Sequence, residues 1–394
     1  MHKIRTYNRI AEKGLKCFSG QKTQVTNNET QPDAILLRSH KLTETDIPDS
    51  VLCIARAGSG VNNIPVAQCT DRGIVVFNTP GANSNAVKEL VLAGLLMSSR
   101  GILPGILYAN SLIDISDKAE MNRLFEDQKK QFSGQELYGR TLGIVGLGAI
   151  GSMVAEMALS LGMRVAGFDP ALSVEAAWRL PNQVRKTENL ADLFAQSDYI
   201  SLHVPAIQAT RHMVNGDTLK HVKDGCVLLN FARDSVVDTQ ALLSSLEMNK
   251  TSGKGIRQYI TDFPEPGLLA RDDVIPMPHI GASTAEAEEN CAVLAAEQIL
   301  DFIQNGNITN AVNFPSITMA RDKGHRLTFA NQNVSGVLGD VLSVFQKNQV
   351  NVIDMVNKSA DKVAYNILDV ETRPTASVLA EIAEIGQVIS VRLL

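Results

Sequence analysis

The chain has 394 residues, with 37 basic and 42 acidic side chains and a formal net charge of −5. This length predicts two or three domains, and the nearly balanced charge gives no electrostatic case for a nucleic acid or an anionic membrane as the main partner. The five cysteines are scattered without a C-x-x-C pair, so we expect no disulfide framework, no metal site and a cytoplasmic location. The longest apolar stretch, residues 90–97, is shorter than the roughly 20 residues that a membrane-spanning helix needs.

Short apolar runs alternate with helical or polar stretches in the first 80 residues. Three of these runs predict strands, at residues 34–37, 52–55 and 74–77. Strands separated by crossover segments indicate a parallel α/β sheet, in which ligands bind beyond the carboxyl ends of the strands. A long apolar-faced helix is predicted over residues 83–100, and an amphipathic surface helix or arm over residues 118–132.

Residues 141–151 combine an apolar run with the motif G-x-G-x-x-G at Gly146, Gly148 and Gly151. In a dinucleotide-binding unit the first glycine permits a tight turn, the second lets a pyrophosphate approach the backbone, and the third lets the helix pack against the strand. A second apolar run ends at Asp169, 18 residues past Gly151, near the position of the acid that binds a ribose diol. The order of strand, turn, helix, strand and acid favours a dinucleotide site over a merely flexible turn.

The βα pattern continues to residue 304 and then changes. Strands are predicted at residues 199–204, 226–230, 257–262 and 274–281, and a long helix over residues 284–304, which together extend the doubly wound sheet. From residue 326 the pattern becomes βαββαβ, a ferredoxin-like unit of about 70 residues. The polar residues 321–325 are the predicted hinge before this unit.

Three side chains in the second half of the chain suit the chemistry of a hydroxy acid. Arg233 follows a predicted strand, where a guanidinium can hold a carboxylate and polarise an adjacent carbonyl. His279 follows another strand, directly before a glycine and a helix, and histidine exchanges protons near neutral pH. Glu265 lies between them in sequence, and a carboxylate bonded to the imidazole would orient it. With a nicotinamide as hydride acceptor, the set fits oxidation of an alcohol carbon beside a carboxylate.

Four motifs in order resemble those of the D-isomer-specific 2-hydroxyacid dehydrogenases. They are residues 56–63, 146–151, 230–233 and 278–284. The resemblance implies a discontinuous, flavodoxin-like substrate domain (residues 1–97 and 283–315), a Rossmann NAD-binding domain (residues 98–282) and a regulatory domain of the ACT type (residues 324–394). It covers nearly the whole chain.

The resemblance also implies roles for single residues. Arg233, His279 and Glu265 would be catalytic, and Asp169 would bind the ribose and favour NAD over NADP. The other residues that it implies for the cofactor are Gly146, Gly148, Ala149, Ile150, Gly151, Ala232, Asp262 (near the nicotinamide), Gly281 and Ala282. The residues that it implies for the substrate are Gly58 and Ser59, as a carboxylate cradle, and Arg38, Arg56 and Lys88, for a phosphate.

The sequence departs from the family pattern at several positions. Glu265 lies three residues after Asp262, where the family has its glutamate five residues after the aspartate, and Asp234 replaces the glycine after the arginine. Asn333 and Asn351 match effector-binding asparagines of the regulatory domain. In the same regulatory domain, Asn331 stands where the family has a histidine and Ser335 where it has a proline. The sequence therefore leaves undecided whether L-serine inhibits the enzyme.

The reaction implied by the resemblance is NAD-dependent oxidation of 3-phospho-D-glycerate to 3-phosphohydroxypyruvate, the first step toward L-serine, by a homo-oligomer (dimer or tetramer). One alternative is another dehydrogenase of the family, of the hydroxypyruvate or glyoxylate reductase type. Another is an NADH-sensing binding protein on the same fold. The ACT-like C-terminal unit argues against the first alternative, and the retained Arg233 and His279 together with that unit argue against the second.

Overall fold

The computed structural model describes residues 1–321 and 323–394, and for Glu175 only the backbone. Contacts divide the chain into a discontinuous unit, Met1–Asn83 with Thr284–Leu394, and a continuous unit, Ser84–Ser283. The three-domain boundaries stay predictions, and Asp322 of the predicted hinge lies outside the described residues.

The discontinuous unit begins with a five-stranded parallel sheet. Its elements are β1 (His2–Thr6), α1 (Glu12–Lys16), β2 (Thr23–Thr26), β3 (Ala34–Leu37), β4 (Cys53–Arg56), α2 (Val66–Asp71) and β5 (Val75–Phe77), with the strand order β2-β1-β3-β4-β5. The sequence predicted only the last three strands. In β1 only Ile4 is buried, and β2 has no buried residue, so neither carries an apolar run.

The continuous unit is a seven-stranded parallel sheet with helices. Its elements are α3 (Ser84–Ser99), α4 (Ile102–Ser111), α5 (Lys118–Gln128), β6 (Thr141–Val145), α6 (Ala149–Ser160), β7 (Arg164–Phe168), α7 (Val174–Arg179), β8 (Arg185–Lys186), α8 (Leu190–Gln196), β9 (Tyr199–Leu202), α9 (Gly216–Leu219), β10 (Cys226–Asn230), α10 (Thr239–Ser252), β11 (Ile256–Thr261) and β12 (Val274–Pro276). The strand order is β12-β11-β10-β9-β6-β7-β8. The order reverses between β6 and β9, and this switch point is where doubly wound sheets bind ligands.

Local sequence explains how the elements of the continuous unit end and pack. The strand predicted over residues 274–281 stops at Pro276, because Pro276 and Pro278 have no N–H to donate to a neighbouring strand. Helix α3 approaches β10 and β11 closely, since a Cβ on Gly94 would lie 3.1 Å from Leu229 and 3.4 Å from Ile260. No single helix in the described part of the chain is long and apolar enough to cross a membrane; α3 and α4, bent by 67°, pass that test only together, by length and composition.

The second half of the discontinuous unit consists of a long helix and an antiparallel sheet. The elements are α11 (Ala285–Asn305), β13 (His325–Gln332), α12 (Val337–Lys347), β14 (Val352–Ala360), β15 (Val363–Val370), α13 (Ala376–Ala383) and β16 (Val388–Leu393), with the strand order β14-β15-β13-β16. Thr284 caps α11 at its start, and Gly306, in the left-handed conformation, ends it. The predicted α/β fold class is confirmed, and β13 to β16 have the predicted βαββαβ order.

A fully buried ion pair joins β13 to β15. Arg326 is 0 % exposed and donates from Nε (2.8 Å) and Nη2 (2.7 Å) to the two carboxylate oxygens of Asp369. Its remaining N–H groups donate to the carbonyl oxygens of Asn305, Met319 and Ala320, at 2.8–3.1 Å. Because every donor nitrogen has an acceptor, the charge is compensated although it is buried.

Candidate active site

The glycine loop after β6 has two crowded positions and one open position. Gly146 adopts φ +90°, and a Cβ there would overlap the carbonyl oxygen of His203. A Cβ on Gly151 would overlap the carbonyl oxygen of Gly146. A Cβ on Gly148 would meet nothing within 4 Å. The first and third glycines therefore allow the loop to form, whereas the second leaves its outer side free for a ligand.

The loop, the start of α6 and the end of β7 form a cradle that fits NAD. Gly148 is the N-cap of α6 without a side-chain capping bond, so the N–H groups of Ala149 and Ile150 face no capping side chain and are suited to a phosphate. Asp169 lies beside the loop, and its Oδ2 accepts a hydrogen bond of 2.8 Å from the Leu147 N–H. Its Oδ1 accepts one of 3.0 Å from the Ala171 N–H. This carboxylate keeps lone pairs for a ribose diol, and its role as the ribose ligand stays a prediction.

A pair of alanine substitutions separates the two functions of the loop. We expect Gly148→Ala to raise the Kd for NADH about tenfold with an unchanged melting temperature, since its Cβ meets no protein atom. We expect Gly151→Ala to lower the free energy of unfolding by at least about 1–3 kcal/mol, because its Cβ meets backbone. NADH fluorescence and thermal unfolding measure both. A stability loss in Gly148→Ala equal to that in Gly151→Ala would contradict this assignment.

His203 lies at the end of β9, beside the glycine loop, but it is unsuited to proton transfer. Burial lowers the pKa of His203 to about 3. Its Nε2 lies 2.8 Å from the Ser201 hydroxyl, and its Nδ1 is buried with no hydrogen-bond partner in the described structure. The imidazole is therefore neutral near pH 7, and the acid–base role of His279 stays a prediction.

The loop that carries Arg233 is organised by a buried asparagine. Asn230, 0 % exposed, ends β10; its Nδ2 donates to the Arg233 carbonyl at 2.9 Å and its Oδ1 accepts from the Ala232 N–H at 3.1 Å. Arg233 is half-buried, and its Nη1 donates to the Ala232 carbonyl at 2.6 Å. Asn230 was not among the predicted residues, although an amide at the end of an apolar run is the signal that could have found it.

Asp262 holds the turn that carries His279. His279 has φ +56°, in the left-handed region that is costly for a residue with a Cβ. Its N–H donates to the Asp262 carbonyl at 3.0 Å. The next two N–H groups, of Ile280 and Gly281, each donate to one Asp262 carboxylate oxygen at 2.7 Å. These bonds stabilise the strained backbone, and the predicted position of Asp262 near the nicotinamide stays a prediction.

Arg233 and His279 both contact Phe263, a residue that the sequence analysis missed. The Phe263 and His279 ring centroids are 4.6 Å apart, and Cζ of Arg233 lies 5.4 Å from the Phe263 centroid. Glu265 is half-buried, and within the described structure no hydrogen bond or ion pair joins it to His279. Its orienting role stays a prediction. Of the other predicted cofactor residues, Ala232 precedes Arg233, and Gly281 and Ala282 follow the His279 turn.

The predicted substrate residues divide between the two units. Arg38 follows β3 and Arg56 ends β4, and Nε of Arg56 donates to the Arg38 carbonyl at 3.0 Å. Arg38 also forms a 2.7 Å ion pair with Glu288. Gly58 and Ser59 follow in the same loop, so these four residues cluster at the carboxyl edge of the five-stranded sheet. Lys88 lies on α3 of the continuous unit and donates to Asn85.

The three asparagines predicted for an effector do not converge within one chain. Asn331 is buried in the sheet and accepts from Asn366 at 2.8 Å. Asn333 follows β13 and lies beside the residue that precedes β15, because its N–H donates to the Lys362 carbonyl. Asn351 lies beside the other end of β15, because its carbonyl accepts from the Glu371 N–H. Their predicted role in binding an effector stays a prediction. Among the described residues, no group of three or more His, Cys, Asp or Glu side chains is arranged to hold a metal ion.

The chain resembles known dehydrogenases in sequence and in structure. Residues 107–281 match the family model of the D-isomer specific 2-hydroxyacid dehydrogenase NAD-binding domain. A D-3-phosphoglycerate dehydrogenase of Haemophilus influenzae is 32% identical over 85% of this chain and 79% of its own length. A hydroxypyruvate reductase of Thermotoga maritima is 35% identical over 68% of this chain and 83% of its own length. Two further relatives, which are also D-3-phosphoglycerate dehydrogenases, are longer proteins. The chain matches 59% of the length of one and 50% of the length of the other.

A solved structure agrees with the sequence comparisons. The NAD+-bound 3-phosphoglycerate dehydrogenase of Entamoeba histolytica superimposes with a TM-score of 0.60 at 27% identity, over 79% of this chain and 98% of that one. Shared sequence and shared fold together establish the kind of enzyme and its cofactor. The chain belongs to the D-isomer-specific 2-hydroxyacid dehydrogenases, which act on small 2-hydroxy acids, and its cofactor is NAD.

Proposed function

We propose that this chain oxidises 3-phospho-D-glycerate to 3-phosphohydroxypyruvate, the first step of L-serine biosynthesis. The observation that carries the proposal is the meeting of Arg233 and His279 around Phe263, on loops that follow β10 and β12 of the nucleotide-binding sheet. The names of several relatives at about a third identity support this choice of substrate.

Each of the two polar side chains has an assigned task. Arg233 uses one N–H for the Ala232 carbonyl and keeps further donors that can hold the substrate carboxylate. His279 is exposed, and within the described structure no hydrogen bond engages its imidazole, which can therefore accept the proton of the C2 hydroxyl. NAD supplies the hydride acceptor when it is bound. As the proton moves to His279 and the hydride leaves C2, a ketone forms beside the carboxylate that Arg233 holds.

Arg38 and Arg56 are the proposed ligands of the substrate phosphate. They stand at neighbouring strand ends, where two guanidinium groups suit a dianion. Arg38 would exchange its ion pair with Glu288 for this contact. Lys88 is a third proposed ligand.

The test is production of NADH from 3-phospho-D-glycerate at alkaline pH, with a coupled reaction that removes the product. Turnover under these conditions is the expected result. Absence of turnover, together with turnover of D-glycerate or D-lactate, would overturn the choice of substrate. The Thermotoga maritima relative supports hydroxypyruvate reduction as the second candidate, and for it we would expect faster reduction of hydroxypyruvate than of its phosphorylated form.

We place this reaction in the cytoplasm, a proposal that is supported by five free cysteines, four of them buried. Recovery of the activity in a membrane or secreted fraction would contradict it.

We also propose that the active form is a homo-oligomer, a dimer or a tetramer, that pairs through α4. This helix presents Ile106 and Leu107, which are 51 % and 70 % exposed, and beside it Ile113 is 85 % exposed. Exposed apolar side chains of this kind suit an interaction site, and a second copy offers the same side chains across a twofold axis.

Substitution on α4 tests this pairing. We expect Ile106→Glu combined with Leu107→Glu to give a monomer by light scattering, because pairing would bury both charges. The control Lys254→Glu, at an exposed position after α10, should keep the oligomer. A double variant with the mass of the native assembly would refute the assignment.

A further inference from the structure

We infer that Phe263 is a positioning residue that sets the mutual arrangement of Arg233 and His279. The inference rests on the proposed function, since it assumes that these two side chains act on one substrate. It assigns no contact between Phe263 and the substrate.

The ring of Phe263 makes two specific contacts. The 5.4 Å distance from Cζ of Arg233 to its centroid lies inside the roughly 6 Å range of cation–π interactions. The 4.6 Å separation from the His279 ring, with planes tilted by 52°, lies in the range of favourable aromatic pairs. A single side chain thus contacts both groups on which the chemistry depends.

Neither polar side chain has another strong constraint. The turn of His279 is held through its backbone by Asp262, but those bonds do not involve the imidazole. The Arg233 side chain has one hydrogen bond, to the carbonyl of the preceding residue. Among the side-chain hydrogen bonds, ion pairs and ring contacts of the described residues, those of Phe263 engage both side chains.

Phe263 itself stands on a fixed backbone. Its N–H donates to the hydroxyl of Thr261 at 3.0 Å, and Thr261 is 0 % exposed. The N–H of Asp262 donates to the Asn230 carbonyl at 3.1 Å, which ties the segment to the loop that carries Arg233. Side chains on such supported backbone position a site more precisely than side chains on free loops.

The ring also suits the charges of the reaction. Arg233 is always positive, and His279 becomes positive when it accepts the substrate proton. The face of an aromatic ring attracts cations, so Phe263 favours the charged form of a side chain over its face, an attraction that an aliphatic side chain does not supply.

The test compares Phe263→Leu with the conservative variant Phe263→Tyr. We expect Phe263→Leu to lower kcat and raise KM for the hydroxy acid, with a combined loss in kcat/KM of about tenfold. The KM for NAD, the NADH affinity and the melting temperature should stay unchanged. Phe263→Tyr retains the ring and should stay within about twofold of the parent enzyme. In an Arg233→Lys background Phe263→Leu should cost less, because part of its partner is already lost.

The outcomes separate this inference from the proposed function. Should Phe263→Leu keep kcat and KM within twofold, or Phe263→Tyr be equally impaired, Phe263 does not position the site. An equal loss in both Arg233 backgrounds leads to the same conclusion. A loss of NADH affinity would assign Phe263 to the cofactor and overturn the inference. Full activity in His279→Gln and Arg233→Lys would instead reject the proposed function.

Discussion

A His279→Gln enzyme is expected to lose about 10²- to 10⁴-fold in kcat, the range contributed by a positioned general base. Glutamine approximates the size of the imidazole but cannot accept a proton near pH 7. The backbone bonds between Asp262 and residues 279–281 do not involve the imidazole, so the turn should form unchanged. NADH affinity should therefore persist while turnover disappears.

His221→Gln is the matched control, because His221 is exposed in the same unit and follows the short helix α9. It should leave kcat and KM unchanged. If both variants turned over at the parent rate, His279 would not be the base. If His279→Gln lost NADH binding in parallel with activity, the residue would belong to the cofactor site instead.

Asp369→Ala is expected to lower the free energy of unfolding by about 3–5 kcal/mol, as is usual when one partner of a buried ion pair is removed. The guanidinium of Arg326 would keep its three carbonyl acceptors but lose its counter-charge in a fully buried site. Since those carbonyls belong to residues 305–320, we expect the loss to affect the end of α11 and the antiparallel sheet together.

The control for this prediction is the exposed ion pair between Lys347 and Glu381, 3.1 Å long, in the same unit. Glu381→Gln should cost less than about 1 kcal/mol, because solvent screens an exposed pair. Denaturant unfolding of the three proteins measures both effects. Replacement of both buried partners, by Arg326→Met with Asp369→Leu, should recover much of the stability. Equal losses in the free energy of unfolding for Asp369→Ala and Glu381→Gln would show that the buried pair stabilises the fold no more than the exposed pair.

Much of the fold could be predicted because its strands are buried on both faces. The runs at β3 to β6, β9 and β10 are mostly apolar segments, and glycine or proline marks many of their ends. Strands β1, β2 and β8 escaped prediction since few or none of their residues are buried. The surroundings of Asn331 could not be predicted either, because its contact with Asn366 depends on pairing between β13 and β15, which are far apart in sequence.

Residues of the candidate site could be predicted where a single residue type suits one chemical role at a strand end. Arg233, His279 and the three glycines were named from their places at strand ends. Phe263 was missed because a phenylalanine after a strand does not indicate chemistry by itself. Asn230 was missed although its amide at the end of an apolar run could have indicated a loop-holding role. Asp262 was named from the resemblance, but its bonding to the His279 turn became visible only in the structure.

The central claim is that this enzyme oxidises a phosphorylated 2-hydroxy acid, and the most direct test is the ratio of kcat/KM for 3-phospho-D-glycerate to that for D-glycerate. The two substrates differ only in the phosphate. Because the proposed phosphate ligands Arg38 and Arg56 would bind a dianion, we predict a ratio of at least about 100, which corresponds to roughly 2.7 kcal/mol. A ratio near one or below would contradict the account and identify the chain as a reductase or dehydrogenase of unphosphorylated acids.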